Sequence, residues 1–583
     1  MIAARPDGLV VRVAPDVAAI DKEFDYLVAD RDASQVSVGT MVRVDLHGRR
    51  VGGWVLATGV TPPDGVVLRA ISRVRGIGPS PRLLELAEWA AWRWGGRRAW
   101  GMATASPELA VSALPAPRLR PPALPPAGAV PLDVESLPPG LVTLGRLGPA
   151  TDLTSVVAAV AQRGPTLVVV PSIARASVLA ERLRHAGADV ALLPGQWAQA
   201  RAGAGVVIGT RAAAWGPCAD LAAIVVIDGH HQDLVQHQAP TWSATAVAIE
   251  RARRSGVPCL VTSPCPPLWL LDGARLLTAD RATERHGWAP IEVIDQRSTD
   301  PRLGLWSERV VALARGSGRV LIVLNRTGRS RLLACSACSN LVRCERCGAA
   351  VAEPVEGTLH CPRCALDRPA VCASCSSTAL RRLRIGVSKA REQLQALVGV
   401  PVGEVTAAST SVPDTPVVIG TEALLHRIGR ADTVVFLELD HHLLASRYRA
   451  AEETLSILAT ASRLVGGRRR GTGRVAVQTR LPEHPALAAA IAGDPSILTD
   501  HERPIRVALG LPPSSALAAI SGPGAPTYAS GLARLAGAPV EVLGPAQDRW
   551  IVRAGSHRVL CDALAAVERP GERLRVEVDP LGL

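Results

Sequence analysis

Four Cys-x-x-Cys pairs follow one another in a single short stretch: Cys335/Cys338, Cys344/Cys347, Cys361/Cys364 and Cys372/Cys375. Each pair places two thiolates on one tight turn, which is half of the ligand set of a tetrahedral zinc. Four half-sites make two four-thiolate sites, so two structural Zn2+ ions are expected. A disulfide framework is the alternative for paired cysteines. It does not suit a 583-residue chain in which Met1 is followed by no basic-then-apolar signal segment. Redox Cys-x-x-Cys motifs do not ordinarily come four in a row. Spacing leaves the partnering open: the inner pairs can share one metal across a hairpin while the outer pairs close the other site, or the pairs can combine sequentially. Arg343, Arg346, Arg363 and Arg368 lie between the ligands and bring positive charge to short loops, which suits phosphate contact, solvated arginine being the plainer reading.

These turns need a framework to hold them. A chain of this length implies about three to five domains, and 48% hydrophobic residues are enough for sizeable cores. No apolar run is long enough to span a membrane, and a cytoplasmic location is expected. The net charge of +13 points to a polyanionic partner. The near absence of Lys and Phe beside abundant Ala, Arg, Gly, Pro and Val points to a coding bias, so the zinc segment's local charge weighs more than the total. Leu9–Val13, Val36–Val44 and Val51–Ala57 alternate apolar residues in a β-rich start, and 82–94 carries helical spacing. Nine prolines in 115–139 predict an extended, poorly ordered linker. Short buried-strand patterns then alternate with helical stretches, first at Thr166–Val170, Gly205–Ile208, Ile224–Ile227 and Cys259–Val261. A second set follows at Arg319–Leu324, Val417–Ile419, Thr433–Leu439 and Arg474–Gln478. This rhythm predicts two parallel α/β layers, a helicase-like pair with the cysteines inserted in the second. The fold class is multidomain α/β, ending in a further α/β segment of about 100 residues.

Ordered along this frame are Val206-Val-Ile-Gly-Thr-Arg-Ala-Ala-Ala214, Asn325-Arg-Thr-Gly328, Ile419-Gly-Thr-Glu422, Arg449-Ala-x-Glu452 after Asp440, Pro482-Glu-His-Pro485, Leu511-Pro-Pro513 and Val578-Asp-Pro580. With the cysteine pattern, they resemble the bacterial PriA (primosomal protein N′) family of superfamily 2 helicases over nearly the full length. The resemblance implies nested zinc sites, Cys335/Cys338 with Cys372/Cys375 and Cys344/Cys347 with Cys361/Cys364. It also implies an N-terminal domain for the 3′ end of DNA, with Phe24, Asp25 and Tyr26 at its F-D-Y and Arg69 at a basic pocket position. An aromatic there would stack a terminal base and a carboxylate would accept its hydrogen bonds, unless the aromatics are simply core. The expected division is 1–112 for this domain, 113–140 for the linker, 141–295 and 296–480 for two RecA-like lobes (ribbon inserted at 333–378), and 481–583 for a DNA- or partner-binding domain. The family's winged-helix domain has no counterpart in the short linker.

The family's ATP motifs are broken. A P-loop needs G-x-x-x-x-G-K-[ST], and Gly-Lys-Ser/Thr occurs nowhere in the chain. The corresponding segment keeps Gly145 and Gly148, while Thr151 and Asp152 stand near the Lys and hydroxyl positions. D-E-E-H has become Asp228-Gly229-His230-His231, which loses the Glu that polarises water. Adjacent side chains do not easily converge on one ion, so the loop reads as a relic. S-A-T-P has become Ser263-Pro-Cys-Pro266, and of the final motif Arg463 survives while the γ-phosphate arginine falls at Gly466. Since charge neutralisation at the phosphate supplies most of this catalysis, the resemblance implies no catalytic residue and neither ATP nor Mg2+ as cofactor. It implies binding to branched or forked DNA, with primosome and helicase-loading proteins as partners. A single-stranded-DNA-binding protein is admitted as a further partner, and the location is cytoplasmic and nucleoid-associated. The alternatives are an active helicase with an unorthodox nucleotide site built on Gly145, Arg146 and Gly148, and a zinc-ribbon scaffold with little DNA affinity.

Overall fold

The computed structural model describes residues 8–582 except 18–19, 63–66, 298–304, 325–332, 339, 363, 383–386, 469–470, 472, 536 and 538. The N-terminal sheet has six strands in the order Arg69–Ala70, Phe24–Val28, Leu9–Pro15, Arg49–Thr58, Met41–Leu46, Arg73–Gly76. Side chains alternate across such strands, so Val11, Val13, Tyr26, Val28, Val42, Val44 and Val55 meet in one small core. The helix Pro81–Arg93 matches the expected helical spacing, and Arg98–Ala105 follows it.

The first lobe is a parallel seven-stranded sheet ordered Arg275–Thr278, Val142–Arg146, Cys259–Ser263, Ala223–Val226, Thr166–Val169, Val206–Gly209, Val190–Leu192. Its central strands are buried at every position, and apolar at all but Thr166, because helices cover both faces. The second lobe is a parallel six-stranded sheet ordered Ile291–Asp295, Arg474–Thr479, Thr433–Phe436, Val320–Val323, Val417–Gly420, Val402–Val405. The division at 295/296 needs correction: Ile291–Asp295 pairs with Arg474–Thr479 and completes the second sheet. The C-terminal segment carries a four-stranded antiparallel sheet with the helices Ala525–Ala533 and His557–Ala566.

The N-terminal helices, the first lobe and the C-terminal sheet share one continuous core. Trp100 from the helix Arg98–Ala105 sits 5.3 Å from Trp215 and 5.5 Å from Trp242 of the first lobe, centroid to centroid. Arg93 pairs with Asp579 at 2.8 Å, and Trp92 Nε1 donates to Asp562 at 2.9 Å. At the lobe junction, Glu452 of Arg449-Ala-x-Glu452 accepts from the Leu268 N–H at 2.9 Å and pairs with Arg506 at 2.9 Å.

The proline-rich segment is not the loose linker its composition predicts. Leu132, Val134 and Leu137 are buried in the first-lobe core. The N–H of Arg118 donates to Gly203 O at 3.0 Å, that of Ala123 to Ala186 O at 2.7 Å, and that of Asp189 to Arg120 O at 2.9 Å. Proline lacks the N–H needed for helix or central strand, but an extended strap can lie along a lobe edge and spend its remaining backbone groups there.

Candidate functional site

The ribbon is built from two short antiparallel sheets, Leu333–Cys335 with Leu380–Arg382, and Ala352–Val355 with Thr358–His360 and Asp367–Pro369. The residue after the second cysteine is left-handed in three of the turns: Gly348 (φ 70°), Ala365 (φ 55°) and Ser376 (φ 59°). This reversal lets the N–H of the same residue reach back 2.9 Å to the carbonyl of Cys344, Cys361 or Cys372. The cysteines converge as two nested sets, Cys335/Cys338/Cys372/Cys375 and Cys344/Cys347/Cys361/Cys364. Sγ separations are 3.5 Å for Cys335–Cys375, 3.6 Å for Cys338–Cys372, and 3.5 Å for both Cys344–Cys364 and Cys347–Cys361. A disulfide would bring two sulfurs to about 2.05 Å, whereas a tetrahedral ion with metal–sulfur bonds of about 2.3 Å spaces them by about 3.8 Å. Each set can therefore hold one metal ion, and four thiols suit zinc. Burial would raise the thiol pKa values; within each set the shared thiol contacts, with backbone N–H groups of the turns, bring one thiol down (Cys335 to about 6, Cys344 to about 7) and push another up to about 12 (Cys375, Cys347).

The ribbon rests on the second lobe where Ala350 packs on Leu444 and its N–H donates to Leu444 O at 3.2 Å. Arg343 and Arg346 are exposed. Arg363 lies outside the described residues, as does Asn325-Arg-Thr-Gly328. Arg368 is bracing: it donates to the carbonyls of Val371 at 2.6 Å and Arg343 at 3.2 Å.

The N-terminal domain opens a cavity of about 590 Å3 lined by Phe24, Asp25, Asp45, His47 and Arg69, among others. Strand alternation sends Tyr26 to the core face, where it is 4% exposed and its hydroxyl donates to Asp45 O at 3.1 Å. Tyr26 still contributes to the wall of this cavity from the core side, and Phe24 is half-buried beside it. Asp25 faces the other way and is gripped by Arg12, Nε at 2.9 Å and Nη2 at 3.2 Å. Arg69 stays exposed, 3.5 Å from Asp45. Arg12 was not singled out from sequence; its register opposite Asp25 was the available signal.

Between the lobes, the positions corresponding to an ATP site are in contact with one another. Asp228, 1% exposed, receives Arg463 Nη1 on Oδ2 at 2.7 Å and Nη2 on Oδ1 at 3.0 Å, and Arg175 also donates to Oδ2. Burial alone would raise its pKa; the two guanidiniums hold the carboxylate well below the ordinary range. Arg463 Nε donates to Pro149 O at 2.7 Å, so one second-lobe arginine clasps both broken first-lobe motifs. In the turn Gly148–Thr151, Ala150 N is bonded to Gly287 O at 3.1 Å and Thr151 N to Gly148 O at 3.1 Å, and Pro149 has no N–H to offer. A Cβ on Gly148 would stand 2.7 Å from Gly287 Cα, and one on Gly145 2.7 Å from Leu132 Cδ1. Asp152 Oδ1 takes the Thr154 N–H at 3.0 Å, occupying the start of the helix Thr154–Val160 with the protein's own anion. Arg146 is bound to Glu284 at 2.8 and 3.1 Å, which removes it from the phosphate cradle of the helicase alternative. A Cβ on Gly229 would lie 2.3 Å from Val261 Cγ1, so the space for a catalytic Glu is filled. Arg468 points away, donating to Arg285 O at 2.8 Å and Trp288 O at 3.2 Å. Sequence motifs identified Asp228 and Arg463, but Arg175 and Glu284 lie in no motif.

Two parallel-sheet lobes facing across a cleft, with a β-rich pocket domain before them and a cysteine ribbon inserted in the second, define a helicase-like DNA-binding class. The family model described as the PriA 3′DNA-binding domain (3′BD) matches residues 12–105. The chain is similar to replication restart protein PriA along almost all of its length. It is 27% identical to the probable replication restart protein PriA of Mycobacterium leprae, over 97% of this chain and 99% of that one. Against the PriA of Haemophilus influenzae it is 26% identical, over 54% of this chain and 47% of that one. A solved structure of RecG bound to a three-way DNA junction overlays with a TM-score of 0.35 and 14% identity, over 63% of this chain and 44% of that one, too distant to carry weight beside the strand order itself. Among the described residues no helix is long and apolar enough to cross a membrane.

Proposed function

We propose that this protein is a DNA-binding replication-restart factor that recognises stalled or branched forks and helps to reload the replicative helicase without hydrolysing ATP or unwinding DNA. The observation that carries the reading is the Arg175–Asp228–Arg463 network. A nucleotide would have to displace two guanidiniums from a buried carboxylate, and in the turn that should cradle phosphates the Ala150 and Thr151 amides are already bonded while Pro149 has none. Phosphoryl transfer depends on positioning and on charge neutralisation at the γ-phosphate, and the residues left in this cleft offer neither.

DNA contact falls to the parts that stay open: the N-terminal pocket with Phe24 and Arg69, and the ribbon face with Arg343 and Arg346. Two Zn2+ ions hold the ribbon, Cys335/Cys338/Cys372/Cys375 on one and Cys344/Cys347/Cys361/Cys364 on the other. Primosome and helicase-loading proteins are its partners in a nucleoid-associated cytoplasmic setting, and the domain limits follow the sequence division with Ile291–Asp295 moved to the second lobe.

The test is DNA-stimulated ATP hydrolysis by zinc-loaded protein on a forked substrate, with fork binding recorded in the same samples. Binding without hydrolysis is expected. Hydrolysis clearly above that of an Asp228→Asn control would return the helicase reading. Absence of fork binding, with protein partners still captured, would favour the ribbon as a pure scaffold.

A further inference from the structure

Three residues past Asp228, a second cluster spans the two lobes and takes no part in the arginine network. A ring nitrogen of His231, a carboxylate oxygen of Asp233 and a ring nitrogen of His426 all lie within 4.8 Å of one another. His231 and Asp233 belong to the first-lobe loop after the strand Ala223–Val226, and His426 lies in the second-lobe helix Ala423–Arg427. The two imidazoles meet edge to face, centroids 5.3 Å apart at 80°. His231 Nδ1 stands 3.6 Å from Asp233 Oδ2. Beside them is a cavity of about 50 Å3, with Glu422 and Glu453 also in its wall.

We propose that His231, Asp233 and His426 form a third metal site, which takes one zinc-type divalent cation and staples the first lobe to the second. Two imidazoles and a carboxylate are a borderline-soft donor set that suits zinc and its transition-metal neighbours; calcium and magnesium prefer oxygen ligands throughout. The cavity exceeds the roughly 10–15 Å3 that one water needs, so a fourth ligand has room. His231 Nδ1 accepts the Asp233 N–H at 3.2 Å, a long bond, and ligation through Nδ1 exchanges it for the metal. His426 is exposed, which gives the ion a way in. Because the ligands come from both lobes, the site exists only while the cleft is closed, and ion binding stabilises that arrangement by mass action. The assignment stands apart from the question of ATP hydrolysis: an active enzyme would carry it as a brake.

The experiment uses the full chain with zinc in both cysteine sets, dialysed against micromolar Zn2+ and analysed for total zinc, with an unfolding scan on each sample. Three ions per chain are expected in the wild type and two in His426→Ala. As His426 is exposed, this change should leave the fold intact. His231→Gln and Asp233→Asn should follow it, each weakening the third equivalent by on the order of 100-fold, the upper end of what even outer-sphere changes cost. The zinc-dependent rise in Tm seen in the wild type should vanish in the variants. A wild type that stops at two ions would overturn the proposal. So would a third equivalent that the variants retain with unchanged affinity, since that ion would sit elsewhere.

Discussion

The cysteine ribbon and the interlobe cleft both depend on a few polar side chains brought together from distant parts of the chain, and they end in opposite states. In the ribbon, two sets of four thiols meet in opposed pairs 3.5–3.6 Å apart, and their partners among the described residues are other thiols and backbone amides. In the cleft, the Asp228 carboxylate is covered by two arginines of the same chain. A donor set left uncompensated still calls for an outside ion, whereas one balanced from within has become part of the framework. Burial makes this contrast energetic as well as geometric, because an unpaired charge in such places is costly.

The contrast can be broken most forcefully at the ribbon. Cys344→Ser or Cys361→Ser should lower the metal content of the two cysteine sets from two ions to one and unfold that half of the ribbon, with a local loss on the order of 10 kcal/mol. Elemental analysis and limited proteolysis would read it. Simultaneous loss of both ions would mean the nested sets are one unit.

Next comes the cleft. Arg463→Ala should destabilise by about 3–5 kcal/mol, because it strips a buried carboxylate of one of its partners. Denaturant unfolding measures this, and a loss below about 1 kcal/mol, the level of an exposed pair, would show the network to be ornamental. Restoring the family's acidic residue by Gly229→Glu should cost about 1–3 kcal/mol through overpacking against Val261 and restore no hydrolysis. A gain of ATPase activity there would reverse the contrast.

A smaller effect depends on pH. His484 accepts the Ala486 N–H at 3.2 Å, and burial, then His501 and Arg343, push its pKa down to about 4. Its folded pKa lies below the unfolded value of about 6.5, so the unfolded state binds the proton first and stability is lost as pH falls from about 6.5 towards 4. By pH 5 the cost is about 2 kcal/mol, and His484→Asn should flatten that part of the stability–pH curve. Least of all, Arg343→Ala and Arg346→Ala should each lower the slope of log affinity for forked DNA against log salt by about 0.9. An unchanged slope would remove the ribbon from the DNA interface.

Much of the frame was legible because parallel strands buried on both faces must be continuous apolar runs, as in Val206–Gly209 and Val417–Gly420. The cysteine turns were legible because their ligands are adjacent in sequence. The nested partnering was not, since it depends on how the ribbon folds back. Tyr26 shows how far alternation goes: the series Phe24, Tyr26, Val28 puts it on the core face, as the plainer reading of these aromatics had it, but says nothing of which part of the ring still borders the pocket. Arg175 could not be found at all, because an arginine on an amphipathic helix looks the same whether it meets water or, as here, a carboxylate 53 positions away. The strap misled for a related reason: proline content reports what a segment cannot form, and the surface that receives it lies elsewhere in the chain.

The shared core of the N-terminal helices, the first lobe and the C-terminal sheet has a consequence for how DNA would be read. With Trp100 wedged between Trp215 and Trp242, and Arg93 tied to Asp579, the end-binding pocket has no hinge at this junction. The pocket, the first lobe and the C-terminal sheet then move as one jaw, and the second lobe, which has its own core and carries the ribbon, is the other. Under the proposed function, selectivity among branched DNAs would depend on how far the cleft between these two jaws is closed.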